Sequence, residues 1–136
     1  MEEMKELIED YQDNLKKFRK LQCKLFDLLD YNTKVTASYS LTPGGSKGSV
    51  NSKVERYALK IYETQQELME VGNKLSTVNV AEKILTNKEK EVIELIKQGY
   101  KNKLTKIAKL LCKDKKYVFD TRNRAIKKMT EYIERR

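Results

Sequence analysis

The stretch IAKLLCKDKKYVFDTRNRAIKKM, residues 107–129, decides the fold. It holds the end of a short apolar helix, a break at Cys112, Lys113 and Asp114, and a second helix crowded with basic residues. Working outward, the spacing predicts helices over 103–111 and 115–134, with Asp114 placed to cap the second. Ile107, Ala108 and Leu111 would then face Val118, Ala125, Ile126 and Met129, and the small Ala108 permits close approach. Steps of about 100° per residue from an inward Val118 put Lys116, Asp120, Asn123, Arg124 and Lys127 on the opposite face, with Tyr117 at its edge. Upstream, Thr86 with Glu89 forms a cap-x-x-Glu box opening a helix over 87–98, and Gly99 closes it. Asn79 with Glu82 reads as a similar box. A supporting helix, a second helix, a tight turn and a third helix make the arrangement of a helix-turn-helix DNA reader, assigned to a domain over 79–136.

Charge is distributed in keeping with that reading. Of the net +9, residues 1–75 contribute nothing, with 12 basic against 12 acidic side chains, while residues 76–136 carry 17 against 8. From Lys97 to Lys128 there are 12 basic residues and only two acidic ones, Asp114 and Asp120. Such a block on a folded unit is an electrostatic footprint for a polyanion, because neutralising phosphates releases condensed counterions. The candidate base readers are Lys116, Tyr117, Asp120, Asn123, Arg124 and Lys127. Arginine pairs bidentately with guanine and asparagine with adenine, while aspartate accepts from cytosine or orients an adjacent arginine. Lys101, Lys103, Thr105, Lys106, Lys109, Lys113, Lys115 and Lys128 are the candidate phosphate contacts, which fix register without reading sequence.

The N-terminal part is helical by its own pattern. Met4, Leu7, Tyr11, Phe18, Leu21, Leu25 and Leu28 follow a heptad series broken only by Asn14. Val54, Tyr57, Ile61, Thr64, Leu68, Val71 and Leu75 repeat it, with Thr64 as the polar layer. Neither stripe can stay in water, so the two are expected to pair as an antiparallel hairpin over 1–78 or to associate between chains, which allows a homodimer through the N-terminal helices. Residues 31–51, rich in Ser, Thr and Gly around Pro43, read as a flexible loop, with a short strand over 34–41 as the lesser alternative. The fold class is all-α.

Several functions are disfavoured. The chain has no histidine and no Cys-x-x-Cys pair, so no zinc site is expected. It offers no glycine-rich phosphate loop and no isolated carboxylate cluster, so neither an enzyme nor a cofactor is expected. The acidic start and the lack of a long apolar run argue against a leader or a membrane span and for a cytoplasmic protein. Cys23 and Cys112, far apart among leucines, read as reduced thiols filling core positions.

LTNKEKEVIELIKQG, 85–99, followed by TKIAKLLCKDKKYVFDTRNRAIKKM, 105–129, resembles region 4 of sigma-70-type factors. Leu85, Thr86, Glu89, Val92, Leu95, Gly99, Ile107, Ala108, Leu111, Val118, Arg124 and Ala125 fall on that pattern. The closer resemblance is to the ArpU/RinA-type phage late-gene regulators of Gram-positive hosts, over about residues 40–133 and most strongly over 84–129. Three features depart from it: Cys112 and Lys113 replace a Gly-hydrophobic turn pair, Arg122 takes a usually apolar position, and the connection from Gly99 to Ile107 is long. The resemblance implies a nucleoid-associated activator of phage late, packaging or lysis genes, binding double-stranded DNA and touching host RNA polymerase. Two other readings stay open: a DNA-packaging recognition subunit of the small-terminase kind, and a sigma-like module that grips polymerase without reading DNA.

Overall fold

The computed structural model describes residues 2–41, 47–100 and 103–136, with side chains omitted over 32–41 and 47–52. The described residues are helical, without strands: α1 Glu2–Glu9, α2 Tyr11–Leu41, α3 Lys47–Glu82, α4 Asn87–Lys97, α5 Leu104–Leu111 and α6 Lys115–Glu134. No described helix is long and apolar enough to cross a membrane. The chain divides into two units, Met1–Lys16 with Asn73–Arg136, and Lys17–Gly72.

The first unit holds the main core. Val92, Ile93 and Ile96 of α4, Ile107 and Ala108 of α5, and Val118, Ala125, Ile126 and Met129 of α6 are all buried together. Met4 and Ile8 of α1 join this cluster, with Val78, Ala81 and Leu85. The structure thus places the first residues with the C-terminal helices, whereas the sequence pattern suggests a boundary at 78. The reason is cover: three short helices bury too little apolar surface alone, and α1 packs against both α4 and α6. Between α1 and α2 the helical bonding persists through Asp10, whose amide donates to Glu6 O at 2.8 Å and whose carbonyl accepts from Asn14 at 2.8 Å.

In the second unit the heptad stripes of α2 and α3 turn inward. Leu21, Thr64 and Val71 are buried, and Phe18, Leu25, Leu28, Val54, Tyr57, Ile61 and Leu68 are half-buried. The Phe18 ring lies 3.2 Å from where Gly72 would carry a Cβ, so a bare backbone there lets the helices approach. Tyr31 meets Tyr57 at 4.4 Å between ring centroids. Since 18 lies beside 72 and 31 beside 57, α2 and α3 run antiparallel. Thr64, the polar layer, satisfies its hydroxyl within its own helix by donating to Lys60 O at 2.8 Å.

Four expectations are corrected. The flexible loop over 31–51 is helical over 31–41 and 47–51, which also removes the strand over 34–41; residues 42–46 lie outside the described residues. Ser and Thr cost at most about 0.7 kcal/mol each in a helix, and extending a nucleated helix is far easier than starting one. Pro43, Gly44 and Gly45 fall between the two helical segments in sequence, and Gly48 lies in the first turn of α3. The box at Asn79 does not form, because α3 continues to Glu82; Asn79 Oδ1 accepts from the Tyr11 hydroxyl at 2.9 Å, and Glu82 pairs with Lys97. Cys23 and Cys112 are free thiols, but both are exposed and neither fills the core.

Candidate nucleic-acid interface

The turn between α5 and α6 is built by backbone bonds. The amide of Lys113 donates to Ala108 O at 2.9 Å and that of Cys112 to Lys109 O at 3.3 Å, the paired closure of a Schellman motif. The geometry requires a left-handed residue, and Cys112 supplies it at φ 55°. A side chain there is strained where glycine would be relaxed. The same closure ends α4, with Gly99 at φ 106°. Asp114 stands at the N-cap of α6 in extended conformation, but its carboxylate makes no capping hydrogen bond.

Turning the backbone at Cys112 aims one face of α6 outward. Lys116, Asp120, Arg124 and Lys127 are exposed, and Tyr117 and Asn123 are half-buried, so the six candidate readers line one side of the helix. Val118, Ala125, Ile126 and Met129 anchor the opposite side. Among the candidate phosphate contacts, Lys103, Thr105, Lys106, Lys109, Lys113 and Lys115 are exposed and Lys128 is half-buried; Lys101 lies outside the described residues. The ammonium of Lys113 sits 5.5 Å from the centre of the Tyr117 ring, a cation–π contact that orders both side chains at the turn.

Two features of this face are not visible as such in the sequence. Arg122, at a position where the sigma-like pattern has an apolar residue, lies 5.1 Å from the Phe119 ring centre and directs its Nε and Nη2 toward Asn123 Oδ1 at 3.4 and 3.3 Å. Arg122 thus links Phe119 and Asn123, and with its carbonyl oxygen engaged Asn123 keeps its amide NH2 as a donor. The second feature is Glu89 of α4. It is 1% exposed, yet it carries a carboxylate that reaches α6: Oε1 accepts from Lys128 Nζ at 2.9 Å, and Oε2 lies 3.7 Å from Arg124 Nε. Oε1 also accepts from the amide and hydroxyl of Thr86, at 3.1 and 2.8 Å, while the Glu89 amide donates to Thr86 Oγ1 at 3.4 Å, completing the capping box. Oε2 makes no hydrogen bond.

Burial by itself pushes the Glu89 carboxyl up. The hydrogen bonds from Lys128 and Thr86 outweigh it and hold the carboxyl below its ordinary value. Lys97 shows the mirror case: burial pushes its ammonium down, and Glu82 at 2.8 Å, helped by Glu94 and Tyr11, raises it above its ordinary value. Lys97 is nearly buried, with its ammonium 4.4 Å from the Tyr11 ring centre. It therefore belongs to the scaffold and not to the accessible basic surface. Among the described residues no group of His, Cys, Asp or Glu side chains is placed to hold a metal ion. Comparison with known proteins returns no matching family model, no matching curated protein and no matching solved structure.

Proposed function

We propose that the chain is a DNA-binding transcription regulator, an activator of phage late genes, with α4, α5 and α6 acting as a sigma region 4-like helix-turn-helix and α2 with α3 as a helical hairpin. In this reading α6 enters the major groove, and its outer side chains meet base edges. The lysines of α5 and the turn grip phosphates on either side. The observation that carries it is the partition of α6 into a fully buried apolar side and an outer side of Lys116, Asp120, Asn123, Arg124 and Lys127, above a turn only three residues long. A helix kept merely soluble would mix acids and bases more evenly, whereas from Lys101 to Lys128 there are 11 basic residues and only two acidic ones, Asp114 and Asp120. The sigma-like and ArpU/RinA-like patterns of the sequence support the same reading.

Fluorescence anisotropy on duplexes recovered by selection from host and phage genomes tests it. Affinity is expected to fall steeply with salt, as for several released counterions, and the selected fragments are expected to lie at promoters. Weak binding without a salt dependence, or fragments no tighter than random duplex, would refute the proposal.

A further inference from the structure

The second unit leaves an apolar strip in water. Phe26 is 74% and Met69 62% exposed, and Leu59 and Tyr62 are each more than half exposed. These residues have their own helical phase. Gln22, Phe26 and Leu29 recur at intervals of four and three on α2, and Leu59, Tyr62, Gln66 and Met69 at three, four and three on α3. This is a second heptad series on each helix, rotated from the one that joins α2 to α3. The two series meet at Met69, which lines a shallow groove together with Gln22, Phe26 and Leu29 of α2. Among these seven positions none is charged, and Phe26, Tyr62 and Met69 are of the types enriched at the centre of protein interfaces.

We infer that this face is the seat of a second copy of the chain, giving a four-helix dimer. Area and charge favour that occupant. An aromatic side chain covers about 150–250 Å² when fully buried, so the exposed large side chains of one copy offer roughly 500 Å². Two copies therefore remove about 1,000 Å² from apolar atoms alone, the size at which a specific interface holds. Over 17–24, α2 carries Lys17, Arg19, Lys20 and Lys24 with no acid; over 63–70, α3 carries Glu63, Glu67 and Glu70 with no base. Because Phe18 lies beside Gly72, these segments share one level. A two-fold axis parallel to the helices lays α2 of one copy on α3 of the other at that level, and opposite charges then border the apolar strip on both sides. The strip is self-complementary, as a closed dimer requires. This inference stands apart from the DNA-binding reading.

Sedimentation equilibrium on the full chain without DNA tests it. The expected mass is twice that of the chain at about 50 µM, since association follows mass action. Phe26→Glu with Met69→Glu is expected to give the single-chain mass with unchanged far-ultraviolet circular dichroism. A second pair of variants reads the arrangement even if that one misfolds. Arg19→Glu, Lys20→Glu and Lys24→Glu in one chain, and Glu63→Lys, Glu67→Lys and Glu70→Lys in another, are each expected to weaken self-association about tenfold or more and to form a tight heterodimer on mixing. A monomeric wild type, a dimer that survives a folded Phe26 and Met69 double variant, or reversed chains that do not combine would overturn the proposal.

Discussion

Replacing Glu89 by glutamine keeps the shape of a buried side chain and removes its charge. In the wild type, Oε1 receives the Thr86 amide at 3.1 Å, the Thr86 hydroxyl at 2.8 Å and the Lys128 ammonium at 2.9 Å. The variant keeps a carbonyl that can accept from Thr86, so the cap is weakened and not lost. What disappears is the charged component toward Lys128 and Arg124. Both cations are substantially exposed, so water compensates much of it. Charge-assisted hydrogen bonds are about twice as strong as neutral ones, which leaves a loss of about 1–2 kcal/mol at neutral pH. The pH dependence has a definite sign. The folded state holds this carboxyl below its ordinary value of 4.5, so its contribution is present above that value and is lost as pH falls through the lower folded pKa. Urea denaturation followed by circular dichroism should show wild type more stable at neutral pH, with the gap between the proteins closing as the pH falls through the lowered folded pKa. Equal stability at neutral pH, or a gap that stays constant into acid, would refute the argument.

Other expected outcomes concern the turn, the scaffold and the reading face. Cys112→Gly relieves a left-handed residue and should raise stability in urea by up to about 1 kcal/mol, whereas Gly99→Ala should lower it by a similar amount. Lys97→Met strips a half-buried Glu82 of its ion pair, and thermal or chemical denaturation should register a loss of about 2 kcal/mol. On the preferred duplex, Arg124→Ala should weaken anisotropy-measured affinity by about 1–3 kcal/mol, with a much smaller effect on random duplex. Glu89→Gln also releases Lys128, so the slope of log affinity against log salt should steepen by up to about 1.

The C-terminal helices were legible because two independent signals agree there. Periodicity names Val118, Ala125, Ile126 and Met129 as inward, and Thr86, Glu89 and Gly99 mark helix ends with specific chemistry. The N-terminal stripes were legible from heptad periodicity alone. Between them composition misled: Ser and Thr are loop-like on average, but residues 31–41 and 47–51 continue helices already nucleated by packed neighbours. Asn79 looked like a cap because local spacing cannot reveal Tyr11, which binds it from 68 positions away. The role of α1 was hidden because Met4 and Leu7 read as the opening of the long heptad stripe; the burial of Met4 and Ile8 beside α4 and α6 arises only in three dimensions. On the candidate interface, residue types and facing were readable. The pairing of Glu89 with Lys128, 39 residues apart, and the contacts of Arg122 with Phe119 and Asn123 were not.

The account turns on the outer face of α6 meeting duplex DNA. Amide chemical shifts of the isotopically labelled chain, followed as a selected duplex is added, test this most directly. The account predicts the largest changes along Lys116–Lys127 and at the start of α5, with little change at the buried positions of the second unit. Changes confined to residues 17–72, or an α6 that does not respond while the duplex is bound, would contradict it.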